Sequence, residues 1–291
     1  MNTHRKRAGG TNSLLLLNVS VMLFGLSAVL GRFIDAPAVV IAGGRVVCSS
    51  VTLLLFSLAT KSSLRLDSKK DLGLAVATGA VLAVHWTTFF QSIQSSSVAV
   101  GTITFSAFPL FLTFLEPLVF HEKLRLRSLL SAGALLVGVG ITAPSFSPEN
   151  TAVQGVWWGL LSALAYAVMS LANRHLAGRY EARTICLYEQ GTAAVLLLPA
   201  LVLTPNWQTP QNMAGIACVG LVCTAVAHSL YVAAQKKVKA QTAGIVSGME
   251  TVYGILFAML FLGEVPSLRE AIGGAVILGT ALLSSLARPD E

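Results

Sequence analysis

Hydrophobic and polar positions alternate along the chain in long blocks. The apolar runs are continuous and rich in Leu, Ala, Val and Gly, whereas the strands of a membrane barrel would alternate every second residue. A helix needs about 20 residues to cross the hydrocarbon core of a bilayer, which is close to the length of each run. The pattern therefore predicts an all-α membrane protein with ten transmembrane helices, at residues 14–30, 38–58, 72–90, 98–120, 129–143, 156–172, 185–203, 213–234, 243–262 and 271–286.

The composition supports this assignment. Hydrophobic residues make up 54% of the 291 positions and charged residues 11%, against roughly 25% charged in soluble domains. Such a chain cannot cover a soluble globule, and a mean hydropathy of +0.73 excludes a disordered one. The four cysteines lie in apolar runs without metal-ligand spacing, so we interpret them as packing residues and expect no metal and no cofactor.

Basic residues indicate the orientation. If the N-terminus is inside the cell, all but three of the 20 Lys and Arg residues fall in inner segments; Arg32 and Arg269 lie in outer connections and Arg45 lies inside the second run. Cytoplasmic loops are enriched in Lys and Arg, so we predict that both termini are cytoplasmic. The net charge of +7 is spread over the inner loops rather than one face, which argues against nucleic-acid binding.

The two halves of the chain resemble each other. A shift of 142 residues aligns Ser20, Phe24, Trp86, Arg32 and the segment 120–122 with Ser162, Tyr166, His228, Arg174 and the segment 262–264. Because five spans are an odd number, the second unit must be inverted relative to the first, and inverted repeats are typical of transporters. The predicted segments are a cytoplasmic tail (1–12), a first five-helix repeat (13–143), an outer linker (144–155), a second, inverted repeat (156–287) and a cytoplasmic tail (288–291).

These features resemble the EamA family of the drug/metabolite transporter superfamily. The residues that support the resemblance are Arg45 in the second helix, Pro109 followed by an apolar stretch to Glu122, and the repetition of 106–122 as 248–264. The resemblance covers residues 13–286 and implies two five-helix domains and, often, export of amino acids or related compounds. Thr251 stands where the second repeat would match Pro109, so we expect the ninth helix to be less bent than the family pattern implies.

Four charged residues lie inside predicted spans, where a charge costs about 2.5–3.5 kcal/mol and usually faces a cavity. Glu250, near the middle of its span, is assigned to substrate or proton binding, or to a helix–helix hydrogen bond. Arg45 either binds a carboxylate or ties its helix to a neighbour. Glu189 is a substrate contact or an inner-gate partner, and Glu116 is interpreted as an interfacial ion-pair residue.

Histidines and aromatic residues supply the other candidates for a binding site. His85 and His228 occupy nearly equivalent positions in the two halves and are either substrate or proton ligands or hydrogen-bonded packing residues. Pro109 frees a backbone carbonyl and is a hinge or helix-break candidate. An aromatic-lined cavity is predicted from Trp86, Phe89, Phe90, Phe108, Tyr166, Tyr231 and Tyr253.

The sequence contains no P-loop and no hydrolase or dinucleotide-binding motif, so we expect a transporter driven by a gradient rather than an enzyme. We predict a multi-pass protein of the plasma (inner) membrane that exports a small metabolite, an amino acid or amine, with Arg45 binding a carboxylate and Glu250 an amine. Protons are a candidate coupling ion, and the oligomeric state is left open. The alternatives are proton-coupled efflux of cationic drugs and a lipid-modifying enzyme with His85 or His228 as its base.

Overall fold

The computed structural model describes residues 3–120, 126–142, 150–235 and 240–286, and every regular element in these ranges is a helix. The loop cations Lys123, Arg125, Lys236, Lys237 and Lys239 lie outside the described residues, as does the side chain of Glu116. A π-helical segment, Leu221–Val226, joins α9 to α10. The helices are α1 (Thr3–Phe33), α2 (Ala38–Ala59), α3 (Lys69–Ser95), α4 (Val98–Phe105), α5 (Phe108–Phe120), α6 (Leu126–Thr142), α7 (Thr151–Ala177), α8 (Ala182–Leu203), α9 (Pro210–Gly220), α10 (Ala227–Gln235), α11 (Ala240–Leu262) and α12 (Leu268–Leu286).

Six stretches of the described helices are long and apolar enough to cross a membrane. They are Ser13–Phe33, Ala38–Ala59, Lys69–Ser95, Thr151–Ala177, Ala182–Leu203 and Pro210–Tyr231. Three shorter apolar stretches, Val98–Leu112, Leu130–Thr142 and Val246–Leu262, fall within other predicted runs. Large apolar side chains are exposed on the helix surfaces, among them Val202 and Leu203. An outer surface of this kind suits contact with lipid rather than water.

Polar residues at the starts of the helices satisfy backbone N–H groups that lack a partner within the helix. Ser68 accepts a hydrogen bond from the Lys70 amide at the start of α3, and Ser97 accepts one from the Val100 amide at the start of α4. Thr209 does the same for α9, whose first residue is proline. Short polar breaks between apolar runs therefore end one helix and begin the next.

The helices pack mainly across the two halves of the sequence. Helix α1 contacts α10 and α11, α7 contacts α3, α4 and α5, α2 contacts α8, and α6 contacts α12. At the contact between α1 and α11 the backbones nearly touch, because a Cβ atom on Gly25 would lie 2.8 Å from the amide nitrogen of Gly254. A shift of 142 residues converts the contacts of α1 into those of α7.

One end of the bundle is tied by an ion pair. Arg32 Nη2 lies 3.1 Å from Glu264 Oε1, and the same carboxylate accepts a hydrogen bond from the Val98 amide at the start of α4. Nearby, Ser97 donates a hydrogen bond to Glu270 at the start of α12. These contacts join α1 and α4 to the connection between α11 and α12.

The opposite end of α3 is tied by Asp71. Its nearly buried carboxylate accepts hydrogen bonds from Arg179 Nη1 at 2.8 Å and from the Tyr180 hydroxyl at 2.7 Å, and lies 3.6 Å from His175 Nε2. Tyr180 stands in the connection between α7 and α8, and its hydrogen bond to the Asp71 carboxylate raises the pKa of the phenol. This network joins α3 to the second half of the chain.

Candidate functional site

A pocket lies where helices of the two halves meet. Its cavity volume is about 30 Å³ in this conformation. A neighbouring pocket shares Glu250 and Phe108 with it and extends towards Pro109 and Thr251. The wall of the first pocket is formed by Phe24, His85, Trp86, Phe105, Phe108, Tyr166, His228, Tyr231, Ser247 and Glu250. Seven of the residues predicted for the site therefore come together: His85, Trp86, Phe108, Tyr166, His228, Tyr231 and Glu250.

Aromatic rings form most of this wall. The ring of Tyr166 on α7 lies 5.2 Å from that of His85 on α3 and 4.9 Å from that of Phe108 on α5, measured between centroids. Phe105 packs against Tyr166 at 5.3 Å. Such tilted and edge-to-face contacts hold aromatic side chains in defined positions. The pocket is consequently a largely apolar cavity with a few polar groups.

The two histidines differ in their hydrogen bonding. His85 Nδ1 lies 2.9 Å from Oγ and 3.1 Å from the carbonyl oxygen of Ser162, so α7 fixes the imidazole. His228 packs edge-on against Phe24 at 5.1 Å. Its Nδ1 has no hydrogen-bond partner among the described residues. His228 therefore has a ring nitrogen that no described residue engages, whereas Nδ1 of His85 is engaged by Ser162.

Glu250 is the acidic residue of the pocket wall. It lies on α11 and lines both neighbouring pockets. It interacts electrostatically with Arg45, although no basic side chain among the described residues lies within 4 Å of its carboxylate. A carboxylate without a close cation inside a membrane protein is suited to bind a cation or a proton.

Arg45 lies behind the pocket wall. Its guanidinium is fully buried and stacks on Trp86, with Cζ 3.4 Å from the ring centroid. The Nε and Nη2 groups donate to Thr224 Oγ1 at 3.0 and 2.8 Å. Arg45 is not among the residues that line the pocket. Trp86 therefore separates the guanidinium from the empty space.

Two helix irregularities adjoin the pocket. The fourth predicted span is interrupted at Ser106 and Ala107, and Pro109 lies in the first turn of α5 just after this interruption. The Ser106 hydroxyl hydrogen-bonds that of Thr251, and Thr251 Oγ1 donates to the Thr102 carbonyl at 3.0 Å. Helix α11, which carries Thr251 at the matching position, is continuous.

The second irregularity is the π-helical segment of the eighth predicted span. Its Thr224 hydroxyl donates to the carbonyl of Val219, five residues earlier, at 2.8 Å. The same oxygen accepts the two hydrogen bonds from Arg45. Single π-turns inside α-helices occur frequently at functional sites.

Besides Arg45, four residues predicted for the site lie away from the pocket wall: Phe89, Phe90, Glu189 and Tyr253. Phe89 is buried behind it, packed 5.5 Å from Phe105. Glu189 is buried on α8 beside α3, where a Cβ on Gly79 would lie 2.6 Å from the Glu189 carbonyl. Tyr253 lies on α11 with its Cβ against Gly25 of α1.

The sequence analysis missed several residues that form the site. Phe105 and Ser247 line the pocket, and Ser162 and Thr224 position His85 and Arg45. Hydroxyl residues inside an apolar run give no pattern that distinguishes them from packing residues. The repeat gave one indication of these residues. Ser162 aligns with Ser20, and Phe24 aligns with Tyr166, which was predicted for the site.

Comparisons with known proteins identify the family. The model of the EamA-like transporter family matches residues 11–143 and again residues 153–286. An uncharacterized transporter of Archaeoglobus fulgidus is 27% identical over 73% of this chain and 75% of its own length. The uncharacterized transporter YxxF of Bacillus subtilis is 20% identical over 96% of this chain and 91% of its own length.

A solved crystal structure has the same fold. It superposes with a TM-score of 0.66 and 17% sequence identity, over 95% of this chain and 97% of its own. An uncharacterized transporter of Helicobacter pylori is 27% identical over 81% of this chain and 82% of its own length. The relatives are transporters, which does not support the lipid-modifying enzyme considered above. With two matches of the family model, apolar helices and a pocket between the halves, the chain belongs to the EamA-like transporter family and is a multi-pass integral membrane protein.

Proposed function

We propose that the protein is a gradient-driven exporter of a small amine-bearing metabolite, an amino acid or a related compound, in the plasma membrane. The pocket between the two halves is its substrate site. The chain crosses the bilayer ten times as two inverted five-helix repeats, with both termini in the cytoplasm, and the pocket opens to each side in turn. The contacts between halves and the two matches of the family model support this arrangement.

The observation that supports the substrate class is the composition of the pocket wall. Glu250 is a carboxylate surrounded by aromatic side chains, including Phe108, Tyr166 and Tyr231. An ammonium group gains from a carboxylate and from the faces of aromatic rings, and more so where water is excluded. An amine-bearing compound with an apolar body therefore suits the pocket better than a phosphorylated anion.

A second candidate function is proton-coupled efflux of cationic drugs. It is favoured by the position of Arg45 behind Trp86, because the wall of the pocket then presents an acid and no arginine to its contents. In this mechanism Glu250 binds a proton and the cation alternately, so that uptake of one releases the other. His228, with its unused Nδ1, lines the same pocket.

Counterflow in proteoliposomes tests both candidates. The purified chain is reconstituted and loaded with amino acids, amines or cationic dyes, and uptake of the labelled compound is measured at two pH values. We expect uptake of amine-bearing compounds, and we expect Glu250→Gln to reduce it about tenfold or more, as loss of a charge-assisted contact predicts. Uptake of amino acids favours the first function, and pH-dependent uptake of dyes alone favours the second.

Glu181→Gln is the matched control for Glu250→Gln. Glu181 is exposed at the start of α8, and its side chain makes no capping hydrogen bond. The control should transport like the wild type. Transport that is unchanged in Glu250→Gln, or no uptake of any amine-bearing compound, contradicts the proposed function.

Reporter tags test the topology separately. Tags inserted near Lys61 and near Lys236 should both report the cytoplasm, because an odd number of spans per repeat places both loops on the same side. Tags that emerge on different sides would overturn the inverted repeat, whatever the result of the transport assay.

A further inference from the structure

Arg45 is a buried cation without an anion beside it. Its side chain has no exposed surface, and no carboxylate among the described residues lies within 4 Å of it. An arginine side chain stays protonated in proteins, and a buried charge is costly unless it is paired. The fold therefore holds a positive charge that the described side chains do not neutralise at close range.

The hydrogen bonds of Arg45 are also incomplete. A guanidinium has five N–H donors, and the described contacts use Nε and Nη2, both on the one oxygen of Thr224. Nη1 is buried and has no hydrogen-bond partner among the described residues. The planar fork of the guanidinium matches the two oxygens of a carboxylate, which would supply both the missing charge and the missing acceptors.

Close packing keeps this group in place. A Cβ on Gly220 would lie 2.9 Å from the Arg45 carbonyl, so α9 lies directly against the backbone of α2 at this residue. Thr224 holds the guanidinium from the π-helical segment. Arg45 consequently does not extend along its stem to the membrane surface, as arginines near helix ends do.

Trp86 is the side chain between this cation and the pocket. Its ring lines the pocket and covers the guanidinium at 3.4 Å. We propose that Arg45 forms a carboxylate subsite of the substrate pocket, closed by Trp86 in this conformation and opened when the indole ring moves aside. When no carboxylate is bound, the Trp86 ring stabilises the guanidinium by a cation–π contact. The substrate carboxylate replaces that contact.

The subsite extends the proposed function and depends on it. With Glu250 for the ammonium group and Arg45 for the carboxylate, the transporter selects zwitterionic amino acids over amines that lack the carboxylate. Without the Arg45 subsite, amines and amino acids with the same side chain would bind alike.

Ligand-dependent thermal stabilisation of the full chain in lipid nanodiscs tests the subsite without measuring transport. The probes are alanine with ethylamine, leucine with 3-methylbutylamine and phenylalanine with phenethylamine, since each pair differs only in the carboxylate. The concentration dependence of the melting temperature gives an apparent affinity for each compound. We expect at least one amino acid to bind about tenfold or more tightly than its amine, and Arg45→Gln to abolish this difference.

Arg183→Gln is the matched control. Arg183 also donates to hydroxyl groups, those of Thr60 and Ser62, and stacks on the ring of Phe56 at 4.6 Å. Unlike Trp86, which covers Arg45, none of these partners lines the pocket. This variant should keep the preference for the amino acid.

Trp86→Ala tests the subsite independently if Arg45→Gln does not fold. Removing the indole ring exposes the guanidinium to the pocket, so the preference for the amino acid should rise or stay equal. A fall in that preference, equal affinities within every pair in the wild type, no binding of any amino acid, or an equal loss of both affinities in Arg45→Gln would overturn the subsite. Selective binding without transport would contradict the proposed function alone.

Discussion

Asp71 and Arg45 are two buried charges that each link the halves of the chain, and they differ in how completely they are paired. The Asp71 carboxylate accepts hydrogen bonds from Arg179 and Tyr180 and lies close to His175. Arg45 has one hydroxyl group for two of its donors and an indole ring in place of a counter-ion. Buried polar groups in proteins are normally hydrogen-bonded, and Nη1 of Arg45 is among the buried atoms that have no partner in the described part of the chain.

The surroundings of the two charges explain this difference. The partners of Asp71 reach it from the rim of the bundle, where the Arg179 side chain is 57% exposed. Because the network is partly exposed to water, its charges lose less hydration free energy on folding. The network joins α3 to the connection after α7. Arg45 lies within the membrane-spanning part, where no loop residue among those described completes its hydrogen bonds. The first charge is paired and stabilises the fold, whereas burying the second without a close anion costs stability.

Among these variants, we expect replacement of Arg45 by methionine to have the largest effect on the free energy of unfolding. An apolar side chain of similar length removes an unpaired buried charge, so Arg45→Met should leave stability unchanged or raise it by up to about 1–4 kcal/mol. Thermal unfolding in nanodiscs measures the change. Asp71→Asn, which weakens a complete network, should lower the melting temperature. A marked loss of stability in Arg45→Met would show that Arg45 is a structural residue like Asp71.

Thr224→Val tests how much the hydrogen bonds of Arg45 contribute to stability. The substitution is nearly isosteric and removes the acceptor of two hydrogen bonds, which leaves Nε and Nη2 of Arg45 buried and unpaired. We expect a loss of about 1–3 kcal/mol in unfolding free energy. In an Arg45→Met background the same change should cost less, since there are no donors left to satisfy. Equal losses in both backgrounds would contradict the coupling of these two residues.

Titration of Tyr180 gives the smallest expected effect and tests the Asp71 network. The carboxylate raises the pKa of the phenol, so phenolate absorbance from Tyr180 should appear above the ordinary value of about 10. The stabilising hydrogen bond is fully present below the ordinary pKa and is lost as the pH rises through the raised one. The difference spectrum between wild type and Tyr180→Phe isolates this group. Asp71→Asn should shift its titration back towards the ordinary value.

The sequence was sufficient to predict the helical class, the family and much of the pocket wall. Six of the described helical stretches are long enough to span a membrane, and they match six of the predicted runs. The rarity of charge in apolar runs identified Glu250 and Arg45, and residue type together with the repeat identified His85 and Trp86. These predictions depend on hydropathy and residue type, which are local properties of the chain.

The rest depended on contacts between residues far apart in sequence. Arg45 and Thr224 are 179 positions apart, and a threonine in an apolar run resembles any packing residue. Trp86 both lines a cavity and covers a cation because of how α2 packs on α3, and hydropathy does not report that packing. Glu189 shows the reverse case, because its type suggested a ligand contact while the close approach of α3 and α8 places it away from the pocket wall.

The π-helical segment that presents Thr224 also makes its contact with Arg45 sensitive to chain length. A wide turn holds one residue more than an α-turn, so deletion of a single residue from Leu221–Val226 would restore an ordinary helix without breaking it. Because the wide turn takes up its additional residue, the later side chains on α10, His228 and Tyr231 included, would keep nearly the same direction around the helix axis, and only the wide turn itself would change. A lineage that lost this residue would keep a well-formed span and the same facing side chains on α10, and would alter only the turn that presents Thr224 to Arg45.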